Sequence, residues 1–374
     1  MPTSRKNNTT NWLPTFANML ISTASTKYLE TANRKIVNRK QATRIEGHGD
    51  DAYRYEGIIS DFSSNICLPA HRHKALMTHL ANHPELILHY PEPEAWSLEK
   101  MLADRLGIDP ACVVVTSGAT DAIYLVAQTF RMHHATPNIS FSEYEDATKL
   151  FPETDANHTA RWICNPNNPT GCALNLEAIN SVIARYDLTI IDQSYEHYTA
   201  IPTMSAKTAV RRANVIQIHS MTKTYAVPGL RLGYIIAARP LTAALRCQLR
   251  PWSVSSLAIE AGKYLLQHDE LMCCPDLDEA RRLRIMLCEI ERMVVTSSDT
   301  NFMLCCLPTG GHTSRRNNIT AAALKDYLAR EHKMLIRDAS NFRGLTPQHF
   351  RVAAQSPAEN DALVAAIKNF LKEL

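Results

Sequence analysis

Between about residues 110 and 240 the chain alternates short apolar runs with stretches of helical spacing, and this alternation limits the fold more than any other feature. Cys112-Val-Val-Val-Thr116, Arg161-Trp-Ile-Cys164, Leu188-Thr-Ile-Ile-Asp192 and Asn214-Val-Ile-Gln-Ile218 are too short for buried helices and rich in β-branched residues. They read as strands covered on both faces. Residues 121–130 place Ile123, Val126, Ala127 and Phe130 on one face of a helix, and residues 176–186 read as another. The outcome is an α/β class with an open sheet, and such sheets hold ligands at the C-terminal ends of their strands. Each apolar run here ends in polar or small residues, so the chemistry is to be sought at those ends.

The richest end follows Ile218. Ser220, Thr222 and Lys223 sit where the strand stops, and Arg231 follows between Gly229 and Gly233. Small and apolar neighbours make the lysine a usable nucleophile toward an aldehyde. A lysine for an imine, with hydroxyls and an arginine for a phosphate, meets the needs of pyridoxal phosphate. A lysine in an ordinary surface loop fits the same few residues equally well. Ser117, Gly118, Ala119 and Thr120 lie at a helix start, where backbone N–H groups and the helix dipole attract an anion. Asn165-Pro-Asn-Asn-Pro-Thr-Gly171 has a backbone stiffened by two prolines, which holds the Asn168 amide toward a ligand. Asp192 ends a buried strand, where a carboxylate needs a partner. A protonated pyridine nitrogen is one such partner, and a helix N-cap is the plainer alternative. Tyr195 stands within reach of a ring oxygen. Phe141, in Ile139-Ser-Phe-Ser-Glu-Tyr144, offers a face for a flat ring or simply a core contact.

The chain of 374 residues has room for a large and a smaller domain. A net charge of +3 gives no reason to expect nucleic acid, and no apolar run approaches the roughly 20 residues that span a bilayer. None of the 10 cysteines has C-x-x-C spacing and the 15 histidines are scattered. A metal site is therefore not expected, and reduced thiols in a cytoplasm fit better. Residues 1–45 are basic and rich in Asn, Thr and Ser, and read as a flexible extension. After Pro240 helical spacing dominates to about residue 290. Strands near residues 300–306 and 334–337 and a terminal helix over 358–371 follow. Tyr90 sits in a rigid Tyr-Pro-Glu-Pro loop, His48 and Asn65 in polar loops, and Arg337 and Arg351 in the last part of the chain.

Taken together, N-P-N-N-P-T-G, D-x-x-Y at Asp192 and Tyr195, S-M-T-K at Ser220 to Lys223, and R-L-G at Arg231 resemble the fold-type I pyridoxal-phosphate enzymes, the aspartate aminotransferase superfamily, over residues 47–374. The resemblance implies a large domain with a mostly parallel central sheet (residues 86–270). It also implies a smaller α+β domain from the N- and C-terminal parts (residues 46–85 and 271–374). It implies that Lys223 takes the cofactor's aldehyde, that Asp192 pairs with the pyridine nitrogen, and that Asn168 and Tyr195 hold the ring oxygen while Phe141 stacks on the ring. Ser117, Gly118, Ala119, Thr120, Ser220, Thr222 and Arg231 would meet the phosphate. In a homodimer with shared sites Tyr90 would reach the partner's phosphate, and Arg351 would bind the substrate α-carboxylate.

Within the superfamily the chain looks closest to the branch of histidinol-phosphate aminotransferases and L-threonine O-3-phosphate decarboxylases. Both act on phosphorylated amines or amino acids, which makes Arg337 the candidate for a second anion site, with His48 and Asn65 as further substrate contacts. G-H-G near the start, D-F-S-S-N at residues 61–65 and I-R-D-A-S-N-F-R-G-L at residues 336–345 tilt toward decarboxylation. The chain departs from that pattern at Asp50, Asp51, Cys67, Leu68 and Ala339, which leaves the ring contacts alone and bears on the substrate. A cofactor-retaining regulator without turnover would need a DNA-binding domain, and residues 1–45 show no helix-turn-helix pattern.

Overall fold

In the computed structural model, described over residues 51–66, 73–308 and 319–372, the apolar runs become strands of a six-stranded sheet, three of them inner and the first at one edge. After a two-residue strand β1 (Ser60–Asp61) come β2 (Val113–Thr116), β3 (Met132–Ala135), β4 (Asp155–Cys164), β5 (Leu188–Asp192), β6 (Val215–Ser220) and β7 (Gly233–Ala237). Their spatial order is β2-β7-β6-β5-β4-β3. Strands β3 to β6 run parallel, and β7 is antiparallel to both β6 and β2. The α/β class and the mostly parallel sheet are as expected.

Every residue of β2, β5 and β6 is buried, which is why their sequences are nearly unbroken apolar runs. The pleat divides them between two cores. Val114 packs with Ile123, Val126 and the fully buried Trp162, whereas Val113 and Val115 pack with Leu98, Leu102 and Ile259 on the opposite face. Each such valine or isoleucine contributes roughly 1.5–3 kcal/mol by leaving water.

The structure differs from expectation where polar residues form regular elements. β4 begins at Asp155, six residues before the apolar run, and its first turns of chain are polar and largely exposed. β3 lies at the edge opposite β2 and carries two histidines, so it shows no strand pattern in the sequence. The helix expected over 121–130 begins earlier, at Gly118 behind the N-cap Ser117, and ends at Thr129. The helix expected over 176–186 ends at Ile183.

Beyond β7, the helices Arg239–Arg246, Ser256–Leu266 and Leu277–Cys288 lead to a second sheet. It holds β8 (Val294–Val295), β9 (Phe302–Cys306), β11 (Arg337–Asp338) and β12 (His349–Ala353) in the order β11-β12-β9-β8. The intervening β10 (Met334–Leu335) pairs in parallel with β1. Phe350, Val352, Leu324 and Ile367 knit this sheet to the helices Ala321–Glu331 and Pro357–Lys372. Gly49–Leu374 forms one compact unit, while residues 1–45 lie outside the described residues. Among the described residues no helix is long and apolar enough to cross a membrane, and no group of three or more His, Cys, Asp or Glu is placed to hold a metal.

Candidate active site

Strands β5 and β6 end side by side, Asp192 opposite Ile218, and both deliver polar groups to one edge of the sheet. Asp192 is buried. Its Oδ2 accepts from the Tyr144 hydroxyl at 2.7 Å and its Oδ1 from the Ser194 backbone N–H at 2.9 Å. Burial pushes its carboxyl above the ordinary range, against those two bonds and the nearby His219. Among the described residues it forms no ion pair. One turn beyond β6, the helix Met221–Thr224 carries Lys223. The Lys223 Nζ donates to the Ser64 carbonyl at 3.3 Å and lies 5.7 Å from the centroid of the Tyr195 ring. The Tyr195 hydroxyl receives the Asn65 Nδ2 at 3.4 Å, and Asn65 holds a left-handed backbone (φ 58°) that turns its side chain inward, buried. The Oδ1 of Asn65 and the Oγ1 of Thr222 are buried without a hydrogen-bond partner.

A cradle lies beside these residues. Gly118 has φ +86°, a backbone that favours glycine, and a Cβ there would fall 2.8 Å from Nη2 of Arg231 and push the guanidinium from the helix start. Gly233 faces Ser220 in the register of β6 and β7, and a Cβ on it would meet the Ala119 nitrogen at 2.7 Å. Two glycines therefore bring Ser220, Arg231 and the N-terminal turn at Gly118, Ala119 and Thr120 to one place. Ser117, at the cap, gives its own N–H to Asp121 at 3.0 Å.

The second sheet brings two arginines to the opposite side. Arg337 and Arg351 are cross-strand partners in the antiparallel pair β11–β12, and both are buried. Arg351 donates through Nη1 to the Asn168 Oδ1 and through Nη2 to the Ser63 carbonyl, both at 2.5 Å, while its Nε is buried with no partner. Arg337 donates to Asn341 Oδ1 at 2.9 Å and to the Asp338 carbonyl, and lies over the Phe342 ring at 5.4 Å. Burial, and then the Arg351 charge, lower the Arg337 pKa to about 10, so it stays charged at neutral pH. Like charges directly opposite on neighbouring strands repel, and among the described residues neither arginine has a carboxylate partner.

Thus Asn65, Asn168, Asp192, Tyr195, Lys223, Arg337 and Arg351 line one region, with Ser220, Thr222 and Arg231 beside it. Phe141 is half-buried and meets Tyr144 edge-on, ring centroids 5.8 Å apart. Tyr90 stands apart, 84% exposed, its ring 5.4 Å from that of Trp252. His48 lies outside the described residues. The sequence reading missed the groups that hold these side chains: Tyr144 on Asp192, the Ser63 and Ser64 carbonyls, and Asn341 and Phe342 on Arg337. The one cue was that Asp192 and Arg351, once buried, required partners.

Residues 131–367 match the family of class I and II aminotransferases. The chain belongs to that family. It is similar to the threonine-phosphate decarboxylase of Salmonella typhimurium, 26% identical over 89% of this chain and 95% of that one. It is also similar to the histidinol-phosphate aminotransferase of Parabacteroides distasonis, 25% identical over 75% and 86% respectively. Among solved structures, the L-threonine-O-3-phosphate decarboxylase from Porphyromonas gingivalis is 33% identical, with 84% of this chain and all of that one covered at a TM-score of 0.76. The chain is thus an enzyme of the pyridoxal-phosphate-dependent class I and II aminotransferase family. The residues present fit that cofactor. A buried carboxylate without a cation, a lysine, an unpartnered Thr222 hydroxyl and a glycine-lined anion cradle are the donor set its ring, aldehyde and phosphate require.

Proposed function

We propose that this enzyme decarboxylates L-threonine O-3-phosphate to (R)-1-amino-2-propanol O-2-phosphate, a step of cobalamin biosynthesis. The observation that carries the reading is the facing pair Arg337 and Arg351, two buried cations with no carboxylate partner among the described residues. Such a pair is costly unless a ligand brings negative charge to both, and a phosphorylated amino acid carries a carboxylate and a phosphate at once. Histidinol phosphate carries only the phosphate, and its amino acceptor 2-oxoglutarate carries two carboxylates and no phosphate.

Lys223 would hold the cofactor's aldehyde and Asp192 its ring nitrogen, while Ser117, Gly118, Ala119, Thr120, Ser220, Thr222 and Arg231 would hold its phosphate. Asn168 and Tyr195 would bind the ring oxygen, and Phe141 would pack on the ring. Bound there, pyridoxal phosphate supplies an electron sink for the bond that breaks at Cα. Arg351, with Asn168, holds the substrate carboxylate, and Arg337 holds the phosphate with Asn65 and His48 as further contacts. With both ends fixed, the Cα–carboxylate bond is the one presented for cleavage. Loss of carbon dioxide would leave its bonding electron pair at Cα, and the Lys223 ammonium would supply the proton that Cα then takes, becoming the amine. Presentation of Cα–H instead would give transamination on the same residues.

The same reading divides the chain into a large domain (residues 86–270) and a small one (46–85 with 271–374), in a cytoplasmic homodimer. Tyr90 supports the dimer: with Ile87 and Leu88, 70% and 71% exposed, it forms an apolar strip that a second copy would cover. Sedimentation of the holoenzyme at the monomer mass would remove that part.

The test of the reaction is incubation of purified holoenzyme with L-threonine O-3-phosphate and no keto acid. Release of carbon dioxide with 1-amino-2-propanol phosphate is the expected result. Silence there, with glutamate formed from histidinol phosphate and 2-oxoglutarate, would make the chain an aminotransferase.

A further inference from the structure

Asp192 is held from behind by a chain of contacts that reaches the far edge of the sheet. The Tyr144 hydroxyl donates to Asp192 Oδ2 at 2.7 Å. The Tyr144 ring stacks on Trp162, centroids 5.0 Å apart and planes 19° from parallel, and both side chains are fully buried. Trp162 Nε1 donates to His134 Nδ1 at 2.9 Å, and His134 Nε2 donates to the Phe130 carbonyl at 2.6 Å. That last bond fixes the histidine tautomer, the histidine fixes the indole, and the indole fixes the plane of the phenol. The phenol has no freedom to turn from the carboxylate.

We propose that Tyr144 is a positioning residue that weakens Asp192 as a base, so that the shared proton rests on the cofactor's ring nitrogen and not on the carboxylate. This rests on the reading of Asp192 given above. The electron sink works only while the nitrogen keeps the proton. A carboxylate in a dry site takes a proton readily, and donors to its oxygens oppose that. The groups facing Asp192 are few. Ser194 gives both its backbone N–H and its side-chain hydroxyl, His219 faces it from β6, and Cys164 is its neighbour on β4. Burial pushes the Cys164 thiol up to about 12 and the Tyr144 phenol well above its ordinary value, so both are neutral. Tyr144 then shares this carboxylate with the Ser194 side chain, and of the two it is the one whose ring is held in a buried stack.

The test uses holoenzyme loaded with pyridoxal phosphate labelled with ¹⁵N in the ring, whose chemical shift separates protonated from neutral pyridine. Wild type is expected at the protonated position and Asp192→Asn at the neutral one. Tyr144→Phe, which keeps the ring and its stack, is expected between them. Trp162→Phe, which keeps the hydroxyl but loosens the stack, should move the same way by less. Circular dichroism checks that each variant is folded, since a merely structural loss would leave the shift of the folded fraction alone. A Tyr144→Phe shift equal to wild type overturns the proposal. If Asp192→Asn also matches wild type, it is the reading of Asp192 that fails.

Discussion

The two sheets of this chain bury unbalanced charge of opposite sign. At the end of β5 a single carboxylate, Asp192, lies buried with two neutral hydrogen-bond donors and no cation. On β11 and β12 two guanidiniums, Arg337 and Arg351, face one another and form no ion pair among the described residues, with Asp338 and Asp61 acting on them only from a distance. Neither arrangement serves the stability of the empty protein, because an unpaired buried charge is a net cost. On the function proposed above, the six-stranded sheet leaves one negative charge for the positive ring nitrogen of a resident cofactor. The four-stranded sheet leaves two positive charges for anions that come and go. On that proposal the imbalance separates a site for a permanent guest from one for a transient guest.

The largest test falls on the cofactor side. Lys223→Ala should lower turnover by about 10⁴-fold or more, the scale on which loss of a covalent group acts. The purified protein should also lose the yellow colour that borohydride bleaches in wild type. A yellow Lys223→Ala protein would move the imine to another lysine and detach β6 from the comparison.

The arginine side comes next and divides by substrate. Truncating one member of a buried, hydrogen-bonded charge contact costs about 2–5 kcal/mol, or roughly 30-fold or more in kcat/KM. Arg337→Gln should suffer that loss with phosphorylated L-threonine and none with L-threonine itself. Arg351→Gln should lose on both. Equal losses for Arg337→Gln on the two substrates would mean that Arg337 does not meet the phosphate.

Legibility followed the same division. Lys223, Asp192 and Asn168 could be found because each ends an apolar run or sits in a proline-stiffened loop, and long strands advertise their ends. The facing arginines could not be paired from the sequence. An arginine is a surface residue by default, and β11 is only two residues long, so its register with β12 carries no pattern. Resemblance singled them out, and the structure added that they face each other. The polar half of β4 and the edge strand β3 were missed because exposed strands need no apolar run. Tyr144 was legible only as an aromatic residue, since its hydroxyl matters through a contact from a helix to a strand 48 positions on.

A further consequence of the facing arginines is a gain in stability where function is lost. Replacing Arg337 by Met removes a like-charge cross-strand pair worth up to about 1 kcal/mol. The cofactor-loaded, substrate-free protein should then melt about 2 °C higher than wild type while its kcat/KM falls. A lower melting temperature would mean that the bonds of Arg337 to Asn341 and Asp338 outweigh the repulsion, and that the pair is structural.

The smallest effect is a pH dependence at Asp192, and its sign is fixed. Burial raises this carboxyl pKa in the folded apoprotein above its ordinary 3.8, so the folded state binds the proton more tightly than the unfolded chain. Folding is therefore penalised as pH rises from that ordinary value through the raised one, and the full penalty stands above it. Asp192→Asn removes the charge and the penalty together. The apoprotein variant should melt above wild type at about pH 8, and the gap should close on acidification toward about pH 4. Pyridoxal phosphate should close the gap at about pH 8 as well, by giving the wild-type carboxylate its cation. Melting curves of both proteins, apo and loaded, at several pH values measure this. A gap that ignores both pH and cofactor would mean that Asp192 is already paired in the empty protein, and the contrast between the two sheets would then rest on the arginines alone.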